Sequence, residues 1–295
     1  MKSSSAFSSR TALVLGGGGS TGNAWLIGVI AGLADAGLDV SIADLIVGTS
    51  AGSTAAAQIT GERTARLYES AAATLVVTDA TAGPSRPLAA AGLERTQRII
   101  DASADPCDMR RRMGAAAIER AAAMEGASAR WRATVASRLP SERWPAGLLL
   151  ITAVDADTGE PVVFDRGSDV DLVDAVAASC SSGFAYTIGD RRYIDGGYRT
   201  NAENADLASG CARVLVLSPF GGRTLTPERW GLGLEAQVDA LRAAGSEVET
   251  IAPGRASEHL FGVNGMELAL RPAAARAGQE DGVDAASRLA EFWSA

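Results

Sequence analysis

Histidine is almost missing from this chain of 295 residues: His259 is the only one. A serine–histidine–acid triad would have to use it. Cysteine is scarce as well. Cys107, Cys180 and Cys211 are odd in number and stand at no metal-like spacing, which points to reduced thiols in a cytosolic chain. No metal or other cofactor is expected. No run of about 18 apolar residues exists to span a membrane. The opening Met1-Lys2-Ser3-Ser4-Ser5 carries a positive charge with no apolar stretch behind it, so it does not read as a signal peptide. The expected location is therefore cytoplasmic, with room for peripheral contact at a membrane surface. Positive charge is also in deficit. A net charge of −8 repels phosphates over most of the surface and argues against a nucleic-acid partner. Aromatics make up only 5% of the residues, while alanine and glycine dominate, and such small side chains suit closely packed helices and sheet.

The order of elements points to an α/β protein. Residues 1–10 are serine-rich and read as a flexible tail, and residues 11–295 as one domain. Thr11–Leu15 reads as a buried strand and Asn23–Ala36 as a helix with Trp25, Leu26, Val29, Ile30 and Leu33 on one face, stopped by Gly37. Asp44–Val47 is a second strand and Ser50–Ile59 a helix of small residues. This β-α-β-α start implies a mainly parallel central sheet in a three-layer α/β/α arrangement. Residues 62–140 hold no convincing strand. They read as a helical insertion, punctuated by Pro84, Pro87, Pro106 and Pro140. Its stretch 86–143 carries eleven arginines against seven acids, and Trp131, Trp144 and these arginines are candidates for contact with a lipid interface. Strands resume at Leu148–Val154, Val162–Phe164, Tyr193–Ile194, Val214–Leu217 and Val248–Ile251. Helices are expected at Asp169–Ser179, Arg229–Ala243 and around Val283–Phe292.

Three constellations can carry chemistry. Gly48-Thr49-Ser50-Ala51-Gly52 is a G-x-S-x-G between a strand and a helix. Such a turn exposes a serine hydroxyl, with glycines allowing close chain approach on either side. Gly16-Gly17-Gly18-Gly19-Ser20-Thr21-Gly22 also joins a strand to a helix, and bare backbone N–H groups there can face an anion. Its Gly17, Gly19 and Gly22 satisfy the dinucleotide G-x-G-x-x-G as well. The next strand, however, ends in Gly48-Thr49-Ser50 rather than in the acid that fingerprint wants. The third is Asp195-Gly196-Gly197 after a short strand, a carboxylate placed to approach another loop. His259 lies in Ser257-Glu258-His259-Leu260-Phe261 with no motif around it, so Asp195 is the candidate base for Ser50.

Together these three features resemble the patatin-like phospholipase family, whose fold is related to the catalytic domain of cytosolic phospholipase A2. The likeness spans residue 11 to about 220, with a divergent middle, and includes Gly28 and Ala177-Ala178-Ser179. It implies a lipid acyl hydrolase with Ser50 as nucleophile, Asp195 as base and Gly17, Gly18 and Gly19 as the oxyanion loop. Gly48, Gly52, Gly196 and Gly197 support the motifs. The substrate implied is a lipid or another acyl ester. Two departures stand out. Thr21 replaces the basic residue usual in the family's glycine loop, and Phe184-Ala185-Tyr186-Thr187 lacks its usual proline. Other readings are an α/β-hydrolase triad using His259, a nucleotide-binding module built on Gly16–Gly22, and a lipid-binding relative without activity.

Overall fold

The computed structural model describes residues 8–73 and 86–294. Most of the expected tail, and Pro84, lie outside these. The first strand, β1 (Ser8–Leu15), takes in the last three residues of that tail. It is followed by α1 (Gly19–Asp35), β2 (Leu45–Gly48), α2 (Ala51–Ile59) and α3 (Thr64–Ala72). Next come α4 (Arg86–Asp101), α5 (Pro106–Ala122), α6 (Ala127–Ala136), β3 (Leu148–Asp155) and β4 (Pro161–Phe164). The remainder is α7 (Leu172–Ser179), β5 (Tyr186–Ile188), β6 (Arg191–Asp195), β7 (Cys211–Leu217), α8 (Leu234–Ala243), β8 (Glu247–Ile251) and α9 (Arg271–Ser294).

The strands pair along the path β5-β6-β3-β2-β1-β7-β8, with β4 on β3. The pairs from β3 through β2, β1 and β7 to β8 are parallel, while those of β3 with β4 and β6, and of β5 with β6, are antiparallel. The expected mainly parallel sheet is therefore present, with an antiparallel end. Strand alternation sorts the side chains onto two faces. Leu13, Leu15, Leu149, Ile151 and Ala153 pack with α1, α2, α7 and α9. Ala12, Val14, Val214 and Val216 pack with α8, and Val154 and Ile194 with α5. Each fully buried leucine or valine of these strands contributes roughly 1.5–3 kcal/mol, so the three-layer arrangement follows from the apolar pattern.

The described residues of the segment 62–140 form several helices, as expected, and these pack on both faces of the sheet. Leu67 and Tyr68 of α3 and Trp131 and Val135 of α6 join the first face. Ile100 of α4 and Met109, Met113 and Ala117 of α5 join the second. The indole N–H of Trp131 donates to Ala177 O at 3.0 Å and that of Trp144 to Val170 O at 2.9 Å. Both rings are partly buried against the core. These tryptophans fasten α6 and the chain after it to the α7 region.

Two further differences have a physical reason. The expected helix from Arg229 starts only at Leu234, because Gly231 sits in the left-handed region at φ 63° and breaks the turn before it. The closing helix starts at Arg271, some twelve residues early, and lies along α1. A Cβ on Gly28 would stand 2.1 Å from Ala275 O, and one on Gly278 would stand 2.2 Å from Trp25 O. The two backbones are this close because both faces lack side chains. The Trp25 indole then donates to Asp281 Oδ2 at 2.7 Å across the seam. Among the described residues no helix is long and apolar enough to cross a membrane.

Candidate active site

The site forms where strand ends meet. On β3, Ile151 pairs with Gly48 of β2 and with Phe164 of β4, and Ala153 pairs with Asp195 of β6 and Val162 of β4. A residue has one neighbour on each edge, so β4 holds one edge of β3 while β2 and β6 share the other in line. They run in opposite senses, and their C-terminal ends, Gly48 and Asp195, stand on either side of Thr152. The chain after β2 and the side chain ending β6 are thereby brought together. Ser50 Oγ donates to Asp195 Oδ2 at 2.9 Å.

Ser50 sits at the turn between β2 and α2 with φ 52° and ψ −117°. A non-glycine residue there costs about 1–3 kcal/mol and persists only when its surroundings hold it. They do. The Ser50 N–H donates to Ser179 Oγ at 2.9 Å. Its carbonyl accepts from Ser53 Oγ at 2.7 Å and from the Cys180 thiol at 3.1 Å. The last residue of α7 and the one after it thus clamp both sides of the strained peptide. Gly52 lets α2 start against β1, since a Cβ there would lie 1.9 Å from Leu15 O. A Cβ on Gly48 would lie 2.7 Å from Ser53 Cα.

Asp195 is 6% exposed. Burial pushes its carboxyl up to about 6, and two donors hold back the rise, the Gly197 N–H on Oδ1 at 2.8 Å and the Ser50 hydroxyl. Gly196 lies directly on Thr152, whose Oγ1 would be 2.1 Å from an added Cβ. The carboxylate is fixed, dry and basic for its kind, which suits it to accept a proton near neutral pH.

The glycine loop lies beside this pair: a Cβ on Gly17 would be 3.6 Å from Ser50 Cβ. Its donors are not equivalent. Gly16 N–H donates to Leu217 O at 3.0 Å and Gly17 N–H to Ala202 O at 2.8 Å. Gly17 therefore has no N–H left for an oxyanion, which corrects its expected place among the donors. The Gly18 and Gly19 N–H groups have no partner among the described residues, and they open the N-terminal end of α1, where the helix dipole favours negative charge. Pro219 backs Gly18 and Gly265 backs Gly19, since Cβ atoms there would meet them at 2.6 and 2.7 Å. Gly19 also needs its φ of +67°. Thr21 is fully buried, with its N–H on Gly265 O at 2.9 Å, so it pins the loop instead of presenting a charge.

His259 is exposed in the short helical turn Arg255–Leu260, and its Nδ1 lies 2.9 Å from Ala256 O. The Ser50 hydroxyl is bonded to Asp195 instead, which removes the basis for a triad. The nucleotide reading is weakened on similar ground, because the glycine loop borders Ser50 and two of its N–H groups are spent on Leu217 and Ala202. Without proline, Tyr186–Ile188 pairs with β6 as β5. Among the described residues no group of three or more His, Cys, Asp or Glu gathers to hold a metal.

The sequence reading missed the residues beneath the site. Asn204 is fully buried with φ 55°, a left-handed position that asparagine tolerates better than most side chains. Its Nδ2 donates to Thr49 Oγ1 at 3.0 Å and to Gly196 O at 3.0 Å, and Thr49 Oγ1 meets Thr152 Oγ1 at 2.9 Å. One amide thus ties the Ser50 turn, the Asp195 turn and β3. Glu203 is also buried, accepts from Ser218 Oγ at 2.6 Å, and has its carboxyl raised by burial. The signal was the run Asn201-Ala202-Glu203-Asn204 soon after Asp195, polar where the chain returns to a buried strand.

A family model of patatin-like phospholipases matches residues 13–206. Among solved structures, VipD from Legionella pneumophila is 12% identical, with a TM-score of 0.43 over 95% of this chain and 67% of that one. The type III effector protein ExoU is 18% identical, with a TM-score of 0.39 over 95% of this chain and 53% of that one. The chain thus spans about two thirds of the first and half of the second. No curated protein matches it in sequence.

Proposed function

The chain belongs to the patatin-like phospholipase family, and from that membership we propose that it hydrolyses acyl esters of lipids with Ser50 as nucleophile and Asp195 as base. The observation that carries this reading is the 2.9 Å bond from Ser50 Oγ to Asp195 Oδ2. Asp195 takes the hydroxyl proton as Oγ attacks the ester carbonyl carbon. The N–H groups of Gly18 and Gly19 bind the oxyanion, each well-placed donor being worth roughly 3–4 kcal/mol in the transition state. Collapse expels the alcohol, which leaves with the proton from Asp195. Water then attacks the acyl-serine, gives its proton to Asp195, and releases the fatty acid as Ser50 recovers its hydrogen. Residues 11–295 act as one unit in this proposal, since α9 lies along the helix that carries the glycine loop.

The substrate is a lipid that reaches the site from a membrane surface by transient contact, with no cofactor. The test is turnover of p-nitrophenyl esters by Ser50→Ala and Asp195→Asn, with a fluorophosphonate probe to label Ser50. Both variants are expected at background, and the probe on the unmodified chain but not on Ser50→Ala. Turnover above background in either variant rules out the dyad.

A further inference from the structure

A second cluster of polar and charged groups lies at the other end of α2 from Ser50. A cavity of about 320 Å³ is bordered there by Asn23 and Gln58, by Glu62 and Arg66, and by Arg138 and Arg271. Arg66 pairs with Glu62 at 3.2 Å. The other two arginines pair with no carboxylate among the described residues. Arg271, the first residue of α9, donates from Nη1 to Ser20 O at 2.7 Å and Ser20 Oγ at 3.1 Å, and from Nη2 to Asn23 Oδ1 at 3.1 Å. All three acceptors are neutral. Burial pushes its guanidinium down to about 10, and the positive charge of Arg138 pushes the same way. Arg138 is exposed, with its guanidinium 5.3 Å from the Trp131 ring centre.

A buried guanidinium with no carboxylate partner is costly unless something offsets it. The surroundings tie Arg271 to the backbone of Arg138. Asn23 Nδ2 donates to Gln58 Oε1 at 2.9 Å, and Gln58 Nε2 donates to Arg138 O at 3.0 Å. One continuous chain of hydrogen bonds therefore links Arg271, α1, α2 and the backbone of Arg138. We propose that this cavity binds a phosphate group between Arg138 and Arg271. A phosphate carries about −1.5 to −2 charges at neutral pH, which matches two unpaired cations, and guanidinium forks suit its oxygens. The setting is a local positive site in a chain of net charge −8. Through Arg271 the site also touches Ser20, within the glycine loop and next after its four consecutive glycines.

The phosphate belongs either to a lipid headgroup or to a soluble molecule, and two binding experiments on the full chain separate these. In the first, inorganic phosphate is titrated calorimetrically at low ionic strength. Saturable binding is expected, weakened about tenfold in Arg138→Gln, an exposed position whose loss does not threaten the fold. Arg271→Lys keeps the charge but loses the fork, and is expected to weaken binding as well. In the second, sedimentation compares phosphatidylcholine vesicles with and without phosphatidate. A preference for phosphatidate that Arg138→Gln abolishes assigns the site to a headgroup. Phosphate binding without that preference assigns it to a soluble phosphate. No binding in either experiment, or binding of equal strength in Arg138→Gln, overturns the proposal. Both read binding rather than turnover, so the outcome is separate from that of the hydrolase reading.

Discussion

Ser50 and Asp195 lie 145 positions apart in the chain and share a 2.9 Å hydrogen bond, because two strands running in opposite senses end against the same edge of β3. Asp195 is consequently part of the sheet, and its environment is set by burial rather than by a neighbouring charge. A carboxyl raised to about 6 leaves a clear trace in the pH profile. Only the ionised form can take the Ser50 proton. The value of kcat/KM is therefore expected to be flat above about pH 7 and to fall tenfold per pH unit well below 6. Measured with a p-nitrophenyl ester, a plateau that continues to pH 5 would exclude Asp195 as the base.

The same burial makes Asp195 a burden on stability. Its folded-state value is raised from 3.8 to about 6, so folding favours the protonated form. The stability tied to that proton is complete below about pH 4 and is lost as the pH rises through 6. The shift corresponds to about 3 kcal/mol. Asn keeps the shape of the carboxyl and can still accept from the Gly197 N–H. Asp195→Asn should therefore match the unmodified chain near pH 4 and exceed it by roughly 3 kcal/mol at pH 8 in urea unfolding. A variant that is less stable at pH 8 would mean that the ionised carboxylate is held by more than these two donors.

The parts of the site that were legible in the sequence share one property: each lies where an apolar strand gives way to glycines. That holds for Gly16–Gly19, for Ser50 and for Asp195. The residues that hold them were not legible, because their roles exist only once distant segments meet. Ser179 and Cys180 clamp Ser50 from the end of α7, and Asn204 joins three turns from a fourth. The first half of α9 was hidden for a related reason. Gly278 and Gly282 weaken a helical pattern, yet they are what lets α9 lie on Gly28 and Gly32 of α1. Strand β5 has only three residues and exists through its pairing with β6.

The cysteines should differ sharply in reactivity. Burial, and then the charge of Asp195, push the Cys180 thiol up to about 11, and its hydrogen is engaged with Ser50 O. Burial also raises Cys211. Cys107 on α5 and Cys180 are both half-buried, so the difference between these two lies in the thiol rather than in access. Thiolate is the reacting species, so iodoacetamide at pH 8 should label Cys107 in the native chain and reach Cys180 and Cys211 only on unfolding. Peptide mapping reads the result, and native labelling of Cys180 at the rate of Cys107 would show that the clamp on Ser50 opens.

The motif glycines, finally, should not be interchangeable under substitution by alanine. At Gly52 the new methyl would sit 1.9 Å from Leu15 O, and at Gly196 it would sit 2.1 Å from Thr152 Oγ1. Neither neighbour can yield, since one is backbone in the central strand β1 and the other is a fully buried side chain of β3 bonded to Thr49. At Gly197 the methyl would meet only Asp195 Oδ1, at 3.2 Å. Gly52→Ala and Gly196→Ala are thus expected to lose several kcal/mol or to fail to fold. Gly197→Ala should fold with a loss below about 1 kcal/mol and show its effect in kcat, because the contact falls on the carboxylate oxygen that the Gly197 N–H holds. Thermal unfolding and ester turnover on the three variants check this. Equal losses of stability at Gly52 and Gly197 would mean that their shared place in G-x-S-x-G and D-G-G, rather than the space around each, governs what the chain tolerates.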